Sequence, residues 1–242
     1  MTKELVVGIL GGMGPEATLT CFGNLIQNSR AKKDQDHLKI VIVNDPKIPD
    51  RTNAITGNGV SPLPALKQGI SALKKAGADF AIIPCVTAHF FLNDLLKQSE
   101  LPILSILDAA AEDISKHHPE IKKIGLIGTS GTIESRIFQD RLEKEGVETI
   151  VCSKEEQHQV MAAIYDIKSR QPGRSRSQIT LSLQHACDSL VAKGAQGIIA
   201  GCTEIPLALC QEDLSLPYFD TLLILARKAI GRAGLLPNES QK

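Results

Sequence analysis

The sequence predicts an α/β protein of two pseudo-symmetric lobes, each a mainly parallel sheet flanked by helices, with a cleft between them. Three observations carry this. Short apolar runs alternate with helical periods along the 242 residues, the pattern of a parallel sheet covered by its crossover helices. The composition is aliphatic, 43% hydrophobic but only 3% aromatic and without Trp, as strands buried on both faces require. The chain also repeats itself. Gly8 pairs with Gly125, Gly77 with Gly194 and Cys85 with Cys202, each pair 117 positions apart. Two copies of one unit, each ending a buried strand in a cysteine, place one thiol on each side of a cleft.

The elements follow in order. Leu5–Leu10 is a continuous apolar run that breaks at Gly11-Gly12 and reads as a first buried strand. Pro15 opens a helix at its favoured early position, and Glu16 complements the dipole. Leu38–Val43 is the next strand. From Asp45 to Pro64 the chain holds four prolines and two glycines, which predicts a long ordered loop or lid. A helix then ends at Gly77, and Phe80–Ile83 is a strand stopped by Pro84.

Lys123–Gly128 restarts the pattern. Thr132 is read as the N-cap of a helix running to Gly146. Gln157–Ile167 and Gln178–Lys193 have helical period, Ile198–Ala200 is a strand, and Thr221–Ala233 is an apolar-faced helix expected to pack back on the first lobe. The expected division is 1–108 plus 221–242, carrying Cys85, and 109–220, carrying Cys202. Gly11–Gly14, Cys85–Thr87, Thr129–Thr132 and Cys202–Thr203 all fall at carboxyl ends of strands, where ligands bind in such sheets.

Charge and cysteine usage narrow the function. Lys plus Arg and Asp plus Glu each number 27, so no bulk field draws the chain to nucleic acid or membrane. The basic cluster Lys168–Arg176 has no interleaved aromatics and reads as a loop, not an RNA site. No secretory signal or membrane-length run is expected. The six cysteines lack CxxC or disulfide-framework spacing, which fits reduced thiols in a cytoplasmic protein. The Gly8–Gly14 loop fits neither the dinucleotide nor the Walker pattern. Cys85, His89 and the His117-His118 pair do not complete a tetrahedral metal set.

Cys21, Cys152, Cys187 and Cys210 take the ordinary structural reading of a buried cysteine. Cys85 and Cys202 do not. They are copies of each other, each stands just past a strand, and each is followed within two residues by Thr. A thiolate of lowered pKa is a base and a thiol its matching acid, which suits removal of a proton from one face of a substrate and its return on the other. His89 is expected to orient or tune Cys85, and Asp45 and Glu204 to serve around a bound amino group.

Gly8-Ile9-Leu10-Gly11-Gly12-Met13-Gly14-Pro15, Ile48-Pro49-Asp50-Arg51-Thr52, Pro84-Cys85-Val86-Thr87-Ala88-His89, Gly128-Thr129-Ser130-Gly131-Thr132 and Gly201-Cys202-Thr203-Glu204-Ile205-Pro206-Leu207 closely resemble the aspartate/glutamate racemase family, its aspartate racemase branch in particular. The resemblance implies racemisation of an acidic amino acid without pyridoxal phosphate or other cofactor, with Cys85 and Cys202 as alternating base and acid. It implies Arg51 and Lys168 as clamps on the distal carboxylate, and Thr87, Thr129, Thr132 and Thr203 around the α-carboxylate and α-amino groups. Met13 is implied as a cleft-lining residue, and a homodimer as the assembly. One position departs from the family pattern. Val86 stands where the family usually has Asn, removing a donor and an acceptor. Alternatives to aspartate are glutamate or broad specificity, a hydantoin, a maleate-type isomerisation, or a binding protein that has lost catalysis.

Overall fold

A computed structural model describes residues 4–169 and 173–237. The first lobe runs β1 (Val7–Gly11), α1 (Pro15–Asn28), β2 (Ile40–Asn44), α2 (Arg51–Ile55), α3 (Leu63–Lys75), β3 (Phe80–Ile82), α4 (Leu92–Leu96), β4 (Ile103–Leu104) and α5 (Ile106–His117). The second runs β5 (Lys123–Gly128), α6 (Ser130–Glu134), α7 (Gln139–Glu143), β6 (Glu148–Val151), α8 (Lys154–Lys168), α9 (Arg176–Ala192), β7 (Ile198–Gly201) and β8 (Tyr218–Asp220), and α10 (Thr221–Arg232) closes the chain.

Each lobe carries a four-stranded, all-parallel sheet, and the two strand orders are the same: β2-β1-β3-β4 and β6-β5-β7-β8. The internal repeat is therefore a repeat of topology. In both sheets the central pair is the first and third strand of its lobe, so the cysteine that follows the third strand emerges beside the loop that follows the first.

The cores explain how the lobes hold together. Leu10, Leu66, Leu73 and Ile83 bury one face of the first sheet under α3. Ile127, Ile164, Leu183 and Ile198 bury the outer face of the second under α8 and α9. A third cluster is common to both: Val7, Ile9 and Phe80 from the first sheet join Leu126, Ile199 and Phe219 from the second through α5 and α10. Helix α10 packs on α1 and α5, as expected of a terminal helix returning to the first lobe. The expected boundary at 108/109 falls inside α5, a packed helix and not a linker.

Several expectations need correction. Thr129, not Thr132, is the N-cap of α6: its Oγ1 accepts the Thr132 N–H. The helix expected to run to Gly146 is two short ones, interrupted where Arg136 adopts φ 55°; Gly146, at φ 74°, does end the second. Helices α8 and α9 start earlier than their apolar period suggests, because Ser153 with Glu156 and Ser175 with Gln178 form capping boxes. The stretch from Asp45 to Pro64 contains α2, capped by Asp50 Oδ1 on the Asn53 N–H at 2.8 Å. Cys210 is exposed and Cys152 only partly buried, whereas Cys21 and Cys187 are core residues. The basic stretch after Lys168 lies partly outside the described residues. No helix among the described residues is long and apolar enough to cross a membrane.

Candidate active site

Both cysteines leave the third strand of their sheet and enter a tight turn. Cys85 lies between β3 and a 3₁₀ turn at Thr87–Phe91, and Cys202 between β7 and one at Ile205–Leu207. They are 5% and 4% exposed and line the same cavity, with Asp50, Arg51, Thr52, Val86, Thr87, Thr129, Lys168, Thr203 and Glu204.

The surroundings of the two thiols differ. Cys202 Sγ donates to Glu204 Oε2 at 3.0 Å. The other oxygen, Glu204 Oε1, accepts the Gly14 N–H at 2.9 Å and lies 3.8 Å from Lys168 Nζ. Burial first, and then the Glu204 carboxylate, push the Cys202 thiol well above the ordinary thiol value, while Lys168 pulls the other way. Cys202 is therefore a thiol at neutral pH. Burial opposes the charge on Lys168, but the anionic side of the site, the Glu204 carboxylate first, outweighs it and holds the ammonium above the usual lysine range. Lys168 thus serves the site as a cation and not as an amine nucleophile.

Three threonine hydroxyls close a triangle at the seam between the lobes. Thr87 Oγ1 lies 2.9 Å from Thr129 Oγ1 and 3.2 Å from Thr132 Oγ1, and the latter two are 3.0 Å apart. All three are buried. Thr87 and Thr129 face the cavity; Thr132 stands behind them and also donates to the Gly201 carbonyl at 3.4 Å. Thr203 Oγ1 donates to the Pro84 carbonyl at 3.1 Å. The lobes approach closely here: a Cβ at Gly131 would sit 2.9 Å from Thr52 Oγ1 and 3.0 Å from the Thr87 methyl.

Arg51 opens α2 and is buried, at 8% exposure. Its guanidinium is fixed by backbone carbonyls: Nη1 donates to Ile48 and Pro49 at 3.2 and 3.0 Å, and Nη2 to Met13 at 3.4 Å. The buried Nε–H has no acceptor among the described residues. A buried unpaired donor costs about 1–3 kcal/mol, more on a charged group, and an oxygen acceptor in the cavity would relieve it. Met13 contributes through that carbonyl; its side chain is packed in the first-lobe core at 2% exposure and does not line the cavity.

His89 is buried and bonds backbone on both sides: Nδ1 to the Cys85 carbonyl at 2.9 Å, and Nε2 accepting the Ile106 N–H at 3.1 Å. The second bond requires the proton on Nδ1, so the ring donates to Cys85. Burial lowers its pKa to about 4. It steadies the turn that carries Cys85, touching the carbonyl and not the thiol. Asp45 accepts the Lys47 N–H at 2.9 Å and is absent from the cavity wall. The expectation for Asp45 is thus not met. Glu204 is in the site, on a thiol and a helix start. Asp50, Thr52 and the Gly14 N–H escaped the sequence reading. Only Asp50, an acidic residue just ahead of a helical turn, carried a local signal.

The cavity holds about 10 Å³, room for roughly one water. An amino acid is several times larger, so the cavity in this conformation does not hold one. The closed site is a preorganised arrangement of donors, two thiols and two cations, with water largely excluded.

The sequence model of the Asp/Glu/Hydantoin racemase family matches residues 10–229. The chain is 29% identical to the broad specificity amino-acid racemase RacX of Bacillus subtilis, over 93% of this chain and 96% of that protein. Among solved structures, Picrophilus torridus aspartate racemase superposes with a TM-score of 0.87 at 28% identity, over 97% of this chain and 96% of the other. A putative Asp/Glu racemase from Yersinia pestis gives 0.77 at 31% identity, over 95% and 99%. With the shared strand order and the facing cysteines already described, these matches establish that the chain belongs to the Asp/Glu/Hydantoin racemase family.

Proposed function

We propose that the protein interconverts the enantiomers of an acidic amino acid, aspartate first among them, by passing the α-proton between Cys85 and Cys202 without a cofactor. The observation that carries this reading is the joint occupancy of one closed cavity by two buried thiols and by Arg51, whose Nε–H lacks an acceptor among the described residues. Thiols on two sides supply a base and an acid; Arg51 and Lys168 supply two positive charges for a dicarboxylate.

In one direction Cys85, as thiolate, takes the α-proton and becomes a thiol. The electron pair left on the α-carbon delocalises into the α-carboxylate, which Thr87, Thr129 and backbone amides at the strand ends stabilise. Cys202 then gives its proton to the opposite face and is left a thiolate. The reverse direction exchanges the roles. An amino-acid α-proton is very weakly acidic, so most of the barrier is removed by preorganised donors in the closed site.

A second reading, broad specificity, draws on Val86, which is buried and presents a branched apolar wall where a polar contact is usual in the family. The experiment that separates them is proton NMR in D₂O of L- and D-aspartate, glutamate and a panel of neutral and basic amino acids, under reducing conditions, with Cys85→Ala and Cys202→Ala alongside. Deuteration with inversion, fastest for aspartate and lost in both variants, is the expected result. Comparable rates across the panel would replace aspartate by broad specificity. No deuteration of any amino acid would sink the racemase reading.

A further inference from the structure

The repeat that equates Cys85 with Cys202 also equates Thr87 with Glu204, again 117 positions apart. At this position the two halves of the site differ in charge. The Thr87 hydroxyl turns to Thr129 and Thr132, whereas the Glu204 carboxylate takes the Cys202 proton as a hydrogen bond at 3.0 Å. The carboxylate is itself held from the opposite lobe, because its second oxygen accepts the N–H of Gly14 at the start of α1. From these contacts we infer that Glu204 is a positioning residue that locks Cys202 as the protonated partner, and that closure of the lobes sets the lock. The inference rests on the two-thiol racemase reading.

The physical argument starts from what each side chain can accept. An ionised carboxylate accepts hydrogen bonds and donates none. Beside it Cys202 is stabilised as S–H and penalised as S⁻, since two anions would then sit about 3 Å apart in a buried site. The titratable groups that line the cavity with the pair are Asp50 and Arg51 at the start of α2, Cys85 after β3 and Lys168 from α8; Tyr165 of α8 and Tyr218 of β8 feel Cys202 from farther off. The cations, Lys168 above all, and the Glu204 backbone N–H favour a Cys202 thiolate; burial and the Glu204 carboxylate outweigh them. Lys168 is shared with Glu204, and Arg51 gives its Nη groups to backbone carbonyls.

The free enzyme is consequently poised for the enantiomer whose proton faces Cys85. Turnover of that enantiomer ends with a Cys202 thiolate against a carboxylate, an uphill product state. Two enantiomers have equal free energy in water, so kcat/KM is the same in both directions. The asymmetry must therefore divide between kcat and KM: low values of both for the enantiomer that Cys85 meets, and high values of both for its mirror image.

The test compares the wild type with Glu204→Gln. The amide keeps an oxygen for the Gly14 N–H but offers an N–H to the sulfur, which favours the thiolate. Thiolate absorbance at 240 nm is titrated, and the Cys202 signal is isolated by difference from Cys202→Ala. The wild type is expected to form no Cys202 thiolate up to pH 10, and E204Q to titrate at least one pH unit lower. The KM values for the two enantiomers are expected to differ about tenfold or more in the wild type and to converge or invert in E204Q.

An unchanged Cys202 titration, or an unchanged KM ratio, would overturn the proposal. A purely structural Glu204 would lower both rates without moving either readout. Glu204→Asp keeps the charge but cannot span Sγ and the Gly14 N–H together, so it should separate the lock from the charge if E204Q does not fold. Faster hydrogen exchange at Gly14 in Glu204→Ala than in E204Q would show that closure sets the lock, and equal exchange that it does not. Should the wild type act on no amino acid, the racemase reading fails alone, because the thiolate titration needs no turnover.

Discussion

Thr203 Oγ1 donates to the carbonyl of Pro84 at 3.1 Å, so the residue after Cys202 is tied to the residue before Cys85. The bond is buried and spans the two lobes. It sets the separation of Cys85 and Cys202 more directly than any contact within a lobe. Thr203→Val keeps the shape and removes the donor, leaving a buried carbonyl unpaired at about 1–3 kcal/mol. Denaturant melts should show that loss, and racemisation should fall by more than the folded fraction does. Thr203→Ser should recover most of both. Equal activity per folded molecule in the valine variant would mean that the bond is structural only.

Arg51 offers a different test, because its guanidinium is already fixed before substrate arrives. Lysine in its place has one nitrogen for three carbonyls, those of Ile48, Pro49 and Met13, and no fork for a carboxylate. Arg51→Lys is expected to raise KM for a dicarboxylate by about tenfold to a hundredfold, the equivalent of about 1.5–3 kcal/mol. KM for an amino acid with a neutral side chain should move little. Measuring both classes decides it: an equal rise for each would remove Arg51 from distal-carboxylate recognition.

The glycine loop after β1 is needed for backbone reasons. Gly12 has φ 97°, and a Cβ there would come within 2.3 Å of the Asp45 backbone. Gly12→Ala combines left-handed strain with a backbone clash, a loss of about 3 kcal/mol or more. Gly23, inside α1, is the control: its Cβ would meet nothing within 4 Å. Gly23→Ala should stabilise by about 0.5–1 kcal/mol. Opposite signs in urea melts are the expected outcome, and a tolerated Gly12→Ala would show that the loop can move away from β2.

Much of this architecture was legible because local signals repeat. The 117-residue offset anticipated two sheets of one topology, and three of the four strand ends named in the sequence, those of Cys85, Thr129 and Cys202, contribute to the cavity wall, whereas Gly11–Gly14 reaches the site only through the Gly14 N–H on Glu204. What was missed is short or non-local. Ile103–Leu104 and Tyr218–Asp220 are strands of two and three residues, too brief for a period to register. The threonine triangle joins positions 42 and 45 residues apart, and no spacing along the chain announces it. Glu204 was legible as a site residue but not in its role, because the turn after β7 decides whether a side chain two residues on reaches the thiol. Met13 misled for the opposite reason: its loop reaches the site through backbone groups, the Met13 carbonyl on Arg51 and the Gly14 N–H on Glu204, while its side chain turns into the core.

His89 links the turn that carries Cys85 to the acid stability of the fold. The ring donates to the Cys85 carbonyl and accepts from Ile106, so it must stay neutral with its proton on Nδ1. Burial holds its folded pKa at about 4, against 6.5 when unfolded. Between these values the unfolded chain binds the proton and the folded chain does not. The stabilisation is therefore complete above pH 6.5, is lost progressively as pH falls toward 4, and amounts to about 3 kcal/mol in all. Gln at this position cannot titrate. His89→Gln should be the less stable protein at pH 7.5, by about 1–2 kcal/mol for the lost ring contacts, yet the gap should close near pH 5.5 and reverse at pH 4.5, where the wild type has lost more than that to protonation of the unfolded chain. Urea unfolding at the three pH values measures it. Curves that stay parallel would place the acid sensitivity in the carboxylates and leave His89 a spacer under Cys85.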